Sequence, residues 1–137
     1  MNARRHAMAG LLFAAGAGAA FAQDAPRLPD PPYTPALRAC LEKPENQATM
    51  GMVDCMAAET RIWDQRLNRE YQETLRSLDQ ETQARLRAAQ RLWIQFRDAN
   101  CLTHRTLTGG SIDQLTGADC MMRMTALRAI ELERMRQ

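Results

Sequence analysis

An all-α fold, a small disulfide-stapled helical bundle built on a long antiparallel helical hairpin, is the class this sequence predicts. Three observations carry it. From Ala36 onward only Pro44 interrupts a helical composition, and no strand-like alternation appears. Two long segments repeat apolar residues at three- and four-residue steps and are separated by one break, Leu78-Asp79-Gln80-Glu81. Four cysteines, Cys40, Cys55, Cys101 and Cys120, occur without a C-x-x-C spacing, so in an exported chain they read as two disulfides.

Export is read from the first segment. Arg4 and Arg5 precede an apolar run from Ala7 to Ala22 that closes on Ala20-Phe21-Ala22, a small-x-small cleavage site. Residues 1–22 are therefore expected to be a signal peptide, too small and Gly-rich for a stable membrane anchor. No cysteine follows the cut, which argues against lipid attachment there. Cleavage removes Arg4 and Arg5 and no acid, so the 18 basic residues fall to match the 16 acidic ones. A neutral chain with interspersed charges argues against nucleic-acid binding. His6 leaves with the leader, and His104 alone gives no histidine pair for a catalytic metal.

Residues 23–35 hold five of the six prolines and are predicted to be an extended tether, with the folded domain covering residues 36–137. A short helix is expected over Ala36–Glu42. The main helix follows from about Met50 to Leu78, capped by Thr49, with Met52, Met56, Trp63, Leu67, Tyr71 and Leu75 on one face. Asp79 suits the cap of the next helix, whose apolar face is Leu86, Ala89, Trp93 and Phe96 and which ends near Leu102. The last helix starts after Gly109-Gly110 and runs to about Arg134. Ser111-x-x-Gln114 has the form of a capping box at its entrance, and Asp113 suits the positive end of its dipole.

Folding the two long helices back on each other sets positions whose numbers sum to about 159 at one height. Trp63 then meets Phe96 and, with Trp93, forms an aromatic core. Glu59 comes level with Arg97, and a carboxylate on an apolar face needs a partner, so the two are expected to pair. The spacings favour disulfides 40–55 and 101–120, each stapling a hairpin. The pairing 55–101 with 40–120 stays open, because all four thiols collect at one end.

With those residues in view, "CMAAETRIWDQRLNREY", "QRLWIQFRDANC", "GGSI" and the final "C…TALR" resemble the LprI-like lysozyme inhibitor domain family. The match runs from about Cys40 to Leu132 and keeps the order of the cysteine-bearing blocks. It implies a small exported helical domain, secreted or periplasmic, that binds and blocks a lysozyme-type muramidase. Between Cys101 and Cys120 lies a polar loop whose His104, Arg105, Ser111 and Asp113 are the candidate partner-binding residues. Lysozyme clefts work through two carboxylates, to which such a loop could offer donors. The plainer reading makes Gly109-Gly110 a turn, Ser111 a cap and His104 merely exposed.

Catalysis is not expected, since Glu59 and the Arg97-Asp98 pair come with no nucleophile or separated acid/base set. No cofactor is expected either. Met50, Met52 and Met56 near Cys55, with Met121, Met122 and Met124 after Cys120, suggest a copper-binding alternative. Methionine at helical spacing more often fills core gaps. A structural or assembly partner in the cell envelope is the remaining alternative.

Overall fold

In the computed structural model residues 30–136 are described; the expected leader and the first part of the Pro-rich segment lie outside them. The elements are α1 (Pro35–Leu41), a 3-10 turn (Pro44–Asn46), α2 (Thr49–Ser77), α3 (Gln80–His104) and α4 (Ile112–Arg134). The fold is thus an all-helical bundle stapled by two disulfides, as composition and periodicity indicate.

The helix ends follow local chemistry. Pro35 opens α1 at a position where its missing N–H costs nothing. Asp79 caps α3, accepting from the Thr82 amide at 2.9 Å and the Thr82 hydroxyl at 2.8 Å. Thr49, expected to cap α2, is instead its first helical residue; Ala48 holds the extended cap position and offers no side-chain bond. Ser111 does not close a capping box either. Its backbone is already helical (φ −62°, ψ −25°), and no side-chain cap bond forms. A capping side chain reaches the first-turn amides from an extended backbone.

Cys40 bonds Cys55 and Cys101 bonds Cys120, with Cα separations of 5.7 and 5.4 Å. The first staple draws α1 and the 3-10 turn onto the start of α2. Gly51 permits that approach, for a Cβ there would lie 2.6 Å from the Asn46 Cα.

α2 and α3 do run antiparallel across the short turn at Leu78-Asp79, but α4 takes the space between the hairpin arms. It packs along α2 most extensively and along α3 next, while α2 and α3 touch little. Ala126 and Ala129 are fully buried on α4, and small residues there let the helices approach closely. The main core joins Trp63, Leu67 and Leu75 of α2, Leu86 of α3 and Leu132 of α4. Thr74 donates to the Leu132 carbonyl at 2.8 Å across the α2–α4 contact. A second cluster gathers Leu37, Cys55 and Met122.

The inserted helix changes which face of α3 is inside. Cys101, bonded to α4, sets the rotation, and the residues in helical register with it turn inward: Leu86, Gln90, Trp93 and Arg97. Phe96 falls off that register and is 60% exposed, and Ala89 is exposed as well. The aromatic core expected from Trp63, Trp93 and Phe96 is therefore corrected. Trp63 is buried, Trp93 packs half-buried against the core, and Phe96 faces outward. The Arg97 and Arg128 guanidinium carbons lie 5.1 and 5.8 Å from the Trp93 ring centre, within cation–π range.

Glu59 does not pair with Arg97. It is 1% exposed and accepts from the Thr34 amide (2.7 Å), the Thr34 hydroxyl (2.5 Å) and the Trp63 indole N–H (2.8 Å). Arg97 sits across the bundle, bonded to Asp98 at 2.9 Å and donating to Thr125 at 3.3 Å. With α4 in between, the two side chains belong to different layers. The Glu59 contacts also tie the end of the Pro-rich segment to the bundle. Pro31 is buried, Tyr33 packs against both clusters, and Thr34 is bonded to α2.

Candidate functional site

The α3–α4 connection, residues 105–111, is displayed at one end of the bundle. Every residue from Leu102 to Ile112 is exposed, yet the segment is held at its root and across its span. Cys101–Cys120 closes the root, and the Met124 sulfur packs 3.7 and 3.8 Å from the two cysteine sulfurs. Thr116 donates to the His104 carbonyl at 2.9 Å, satisfying one orphan acceptor at the end of α3. Arg105 donates from Nε to Gln114 at 3.0 Å. Its aliphatic stem lies against Gly117, where a Cβ would come within 2.8 Å of the Arg105 Cβ.

Asp113 organises the far side of the loop. Its carboxylate accepts from the Thr108 amide at 2.9 Å, the Thr108 hydroxyl at 2.9 Å and the Gly109 amide at 2.8 Å. The Thr108 amide above all, with the hydroxyl and the Gly109 amide, holds this carboxyl below the usual carboxylate range against the opposing effect of burial. Gly109 supplies the positive φ (76°) that turns the chain beneath the carboxylate. Leu107 is left at the tip, 63% exposed.

The four loop residues singled out from the sequence thus separate. His104 and Arg105 are adjacent and exposed, and Ser111 is exposed on the far limb. Asp113 is 3% exposed and occupied by the loop's own donors, which removes it from the partner-facing set. Leu107 and Gly117 were not singled out. A large apolar residue inside a Thr- and Gly-rich loop is the signal that points to Leu107. For Gly117 the sequence offers none, because its role is a close approach between segments twelve positions apart.

Beside the loop root runs a groove of about 550 Å³ between the splayed arms α2 and α3, floored by α4. Val53, Ala57, Leu102, Arg105 and Met121 are among its lining residues. The site therefore combines a braced projection with an adjacent, mostly apolar recess, an arrangement suited to protein contact. The carboxylates do not form an acid/base pair, because Glu59 is enclosed by Thr34 and Trp63 while Asp98 lies on the exposed side of Arg97. All four cysteine sulfurs are held in the two disulfides, which leaves methionine thioethers as the soft ligands of the copper alternative. Among the described residues no group of three or more His, Cys, Asp or Glu is placed to hold a metal ion. No described helix is long and apolar enough to cross a membrane.

The family described as Lysozyme inhibitor LprI matches residues 40–132, from the first cysteine to the last buried leucine of α4. No curated protein matches the chain. Among solved structures, the crystal structure of an uncharacterized protein from Burkholderia thailandensis is similar at 21% identity with a TM-score of 0.64. The alignment covers 74% of this chain and 51% of that one, so this chain spans about half its length. That likeness concerns the fold alone.

Proposed function

This chain belongs to the LprI lysozyme inhibitor family, and on that premise we propose that it is exported and blocks a lysozyme-type muramidase by protein–protein contact. The observation that carries the reading is the loop 105–111: exposed throughout, yet braced by a disulfide, the Asp113 carboxylate and the Gly117 contact. A segment ordered before binding loses little conformational entropy on docking, which is how a small surface becomes an effective inhibitor. Leu107 enters the substrate cleft as the apolar tip. His104 and Arg105 stand at the mouth, where donors can engage the pair of carboxylates that flank a glycosidic bond. Inhibition is by occupancy and involves no chemistry on the chain itself.

Two disulfides and the family fit an extracellular or periplasmic protein. The reading adds that residues 1–22 direct export and are removed after Ala22. The test is the lysis of a peptidoglycan suspension, followed by turbidity, for a panel of host-type and bacterial muramidases with and without the purified chain. Slowed lysis that saturates near equimolar inhibitor supports the proposal. Unchanged lysis across the whole panel removes it.

A further inference from the structure

The second half of α3 leaves large apolar side chains outside while polar ones turn inward. Its buried side carries Gln90, Arg97 and Asn100 beside Leu86 and Trp93, whereas Leu92, Phe96 and Leu102 are 66%, 60% and 61% exposed. Large apolar side chains left in water along one stretch of helix suit a surface that another molecule covers. Ala88, Leu92, Gln95, Ala99 and Leu102 follow one another at alternating four- and three-residue steps, the seam of a helix that packs on a second helix. Phe96 flanks this seam on one side, and Arg91 and Asp98 flank it on the other.

We infer that a second copy of this chain covers the outer face of α3, the two helices crossing antiparallel about a two-fold axis near Gln95. Across such an axis, positions whose numbers sum to about 190 face each other. Leu92 then meets Ala99 of the other copy, and Leu102 meets Ala88, so every large residue on the seam opposes a small one. The two Gln95 side chains meet at the axis, where each amide can both donate and accept. Arg91 of each copy comes level with Asp98 of the other. Asp98 bonds Arg97 of its own chain through Oδ1, and its second oxygen remains available. Arg91 is exposed and makes no ion pair among the described residues. Size and charge therefore both match this face to itself in one register. The two 105–111 loops point to opposite ends of the pair, so self-association leaves both loops open, while covering Leu102 at the edge of the groove beside each loop.

One helix face buries less than about 1,200 Å² in total, the range of weak specific interfaces, and the expected dissociation constant is about 10–100 µM. Sedimentation velocity on the exported, disulfide-bonded chain from about 5 to 300 µM spans that range. The expected result is a monomer that becomes a dimer with concentration, and a Leu92→Glu variant, folded by circular dichroism, that stays monomeric. Arg91→Asp and Asp98→Arg each weaken the dimer about tenfold or more when alone, by placing like charges opposite each other; together they restore it. A wild-type chain monomeric at every concentration overturns the inference. So does a dimer indifferent to Leu92→Glu, or one that the double charge exchange fails to restore. Loss of muramidase inhibition in Leu92→Glu with no wild-type dimer would assign this face to the target instead.

Discussion

Glu59 is the residue whose replacement separates this packing from the simple hairpin most sharply. Glu59→Ala deprives three donors of their acceptor: the Trp63 indole N–H and the Thr34 amide and hydroxyl. A buried donor left unsatisfied costs about 1–3 kcal/mol. The Trp63 group bears the full penalty, since its residue is 3% exposed. The Thr34 groups, half-buried, recover part of theirs from water. With the vacated volume the total should be about 3–5 kcal/mol. Arg97→Ala loses the bond to Thr125, the Asp98 pair and the contact with Trp93, at a cost of about 1–2 kcal/mol. Because the two residues share no partner, the double variant should equal the sum of the singles within about 0.5 kcal/mol. Urea unfolding of the four proteins, followed by tryptophan fluorescence with disulfides intact, gives the cycle. A coupling of about 2 kcal/mol or more would instead establish a direct Glu59–Arg97 pair.

Trp63→Ala should cost about 3–5 kcal/mol in the same urea assay, as truncation of a buried aromatic does; a loss below about 1 kcal/mol would move Trp63 out of the core. Asp79 and Asp113 are held below the ordinary carboxylate range, chiefly by the Thr82 and Thr108 amides respectively. Their stabilisation is present above the unfolded-state value near 3.9 and is lost as pH falls through the lower folded values. Thermal melts should therefore show acid destabilisation beginning near pH 4, and Asp113→Asn should flatten that decline. Replacing Cys101 and Cys120 together by serine should lower stability by about 3 kcal/mol in the chain-entropy account and should raise amide exchange in residues 102–112 more than elsewhere.

Helix existence and order were legible because propensity, periodicity and breaks agree along this chain. The turn at Leu78-Asp79 and the glycines before α4 mark their boundaries locally, and Asp79 caps where its position says it should. Of the two disulfide pairings left open, the one favoured by spacing forms, each bond closing a neighbouring hairpin. What the sequence did not reveal is the position of α4. A hairpin of two long helices is the shortest-range solution, and nothing local says that a third helix enters between its arms. From that single omission come the misplaced Phe96, the wrong partner for Glu59 and the rotated inner face of α3. Thr34 escaped notice for a related reason: the prolines around it predict extension truly but not the docking of that extension on α2. In the candidate site, the loop was visible from its cysteine brackets and its glycines. The inward role of Asp113 was not, because an acid in a first helical turn suits the dipole equally well from outside.

If the braced loop, rather than the bundle at large, blocks the muramidase, inhibition depends on the loop's exposed side chains. The inhibition constant of a variant that changes two exposed side chains of that loop, Arg105→Ala with Leu107→Ser, measured beside the wild-type chain, tests this most directly. Both side chains are exposed; Arg105→Ala gives up the bond to Gln114 but keeps the Cβ against Gly117, and the Asp113 bonds to Thr108 and Gly109 stay in place. The stability change should therefore be small, about 1 kcal/mol or less by urea unfolding. Inhibition should weaken by about 100-fold or more, the loss of an anchor residue and a charged contact together, in a protein that remains fully folded. A folded variant that inhibits as strongly as the wild type would exclude the loop as the inhibitory element.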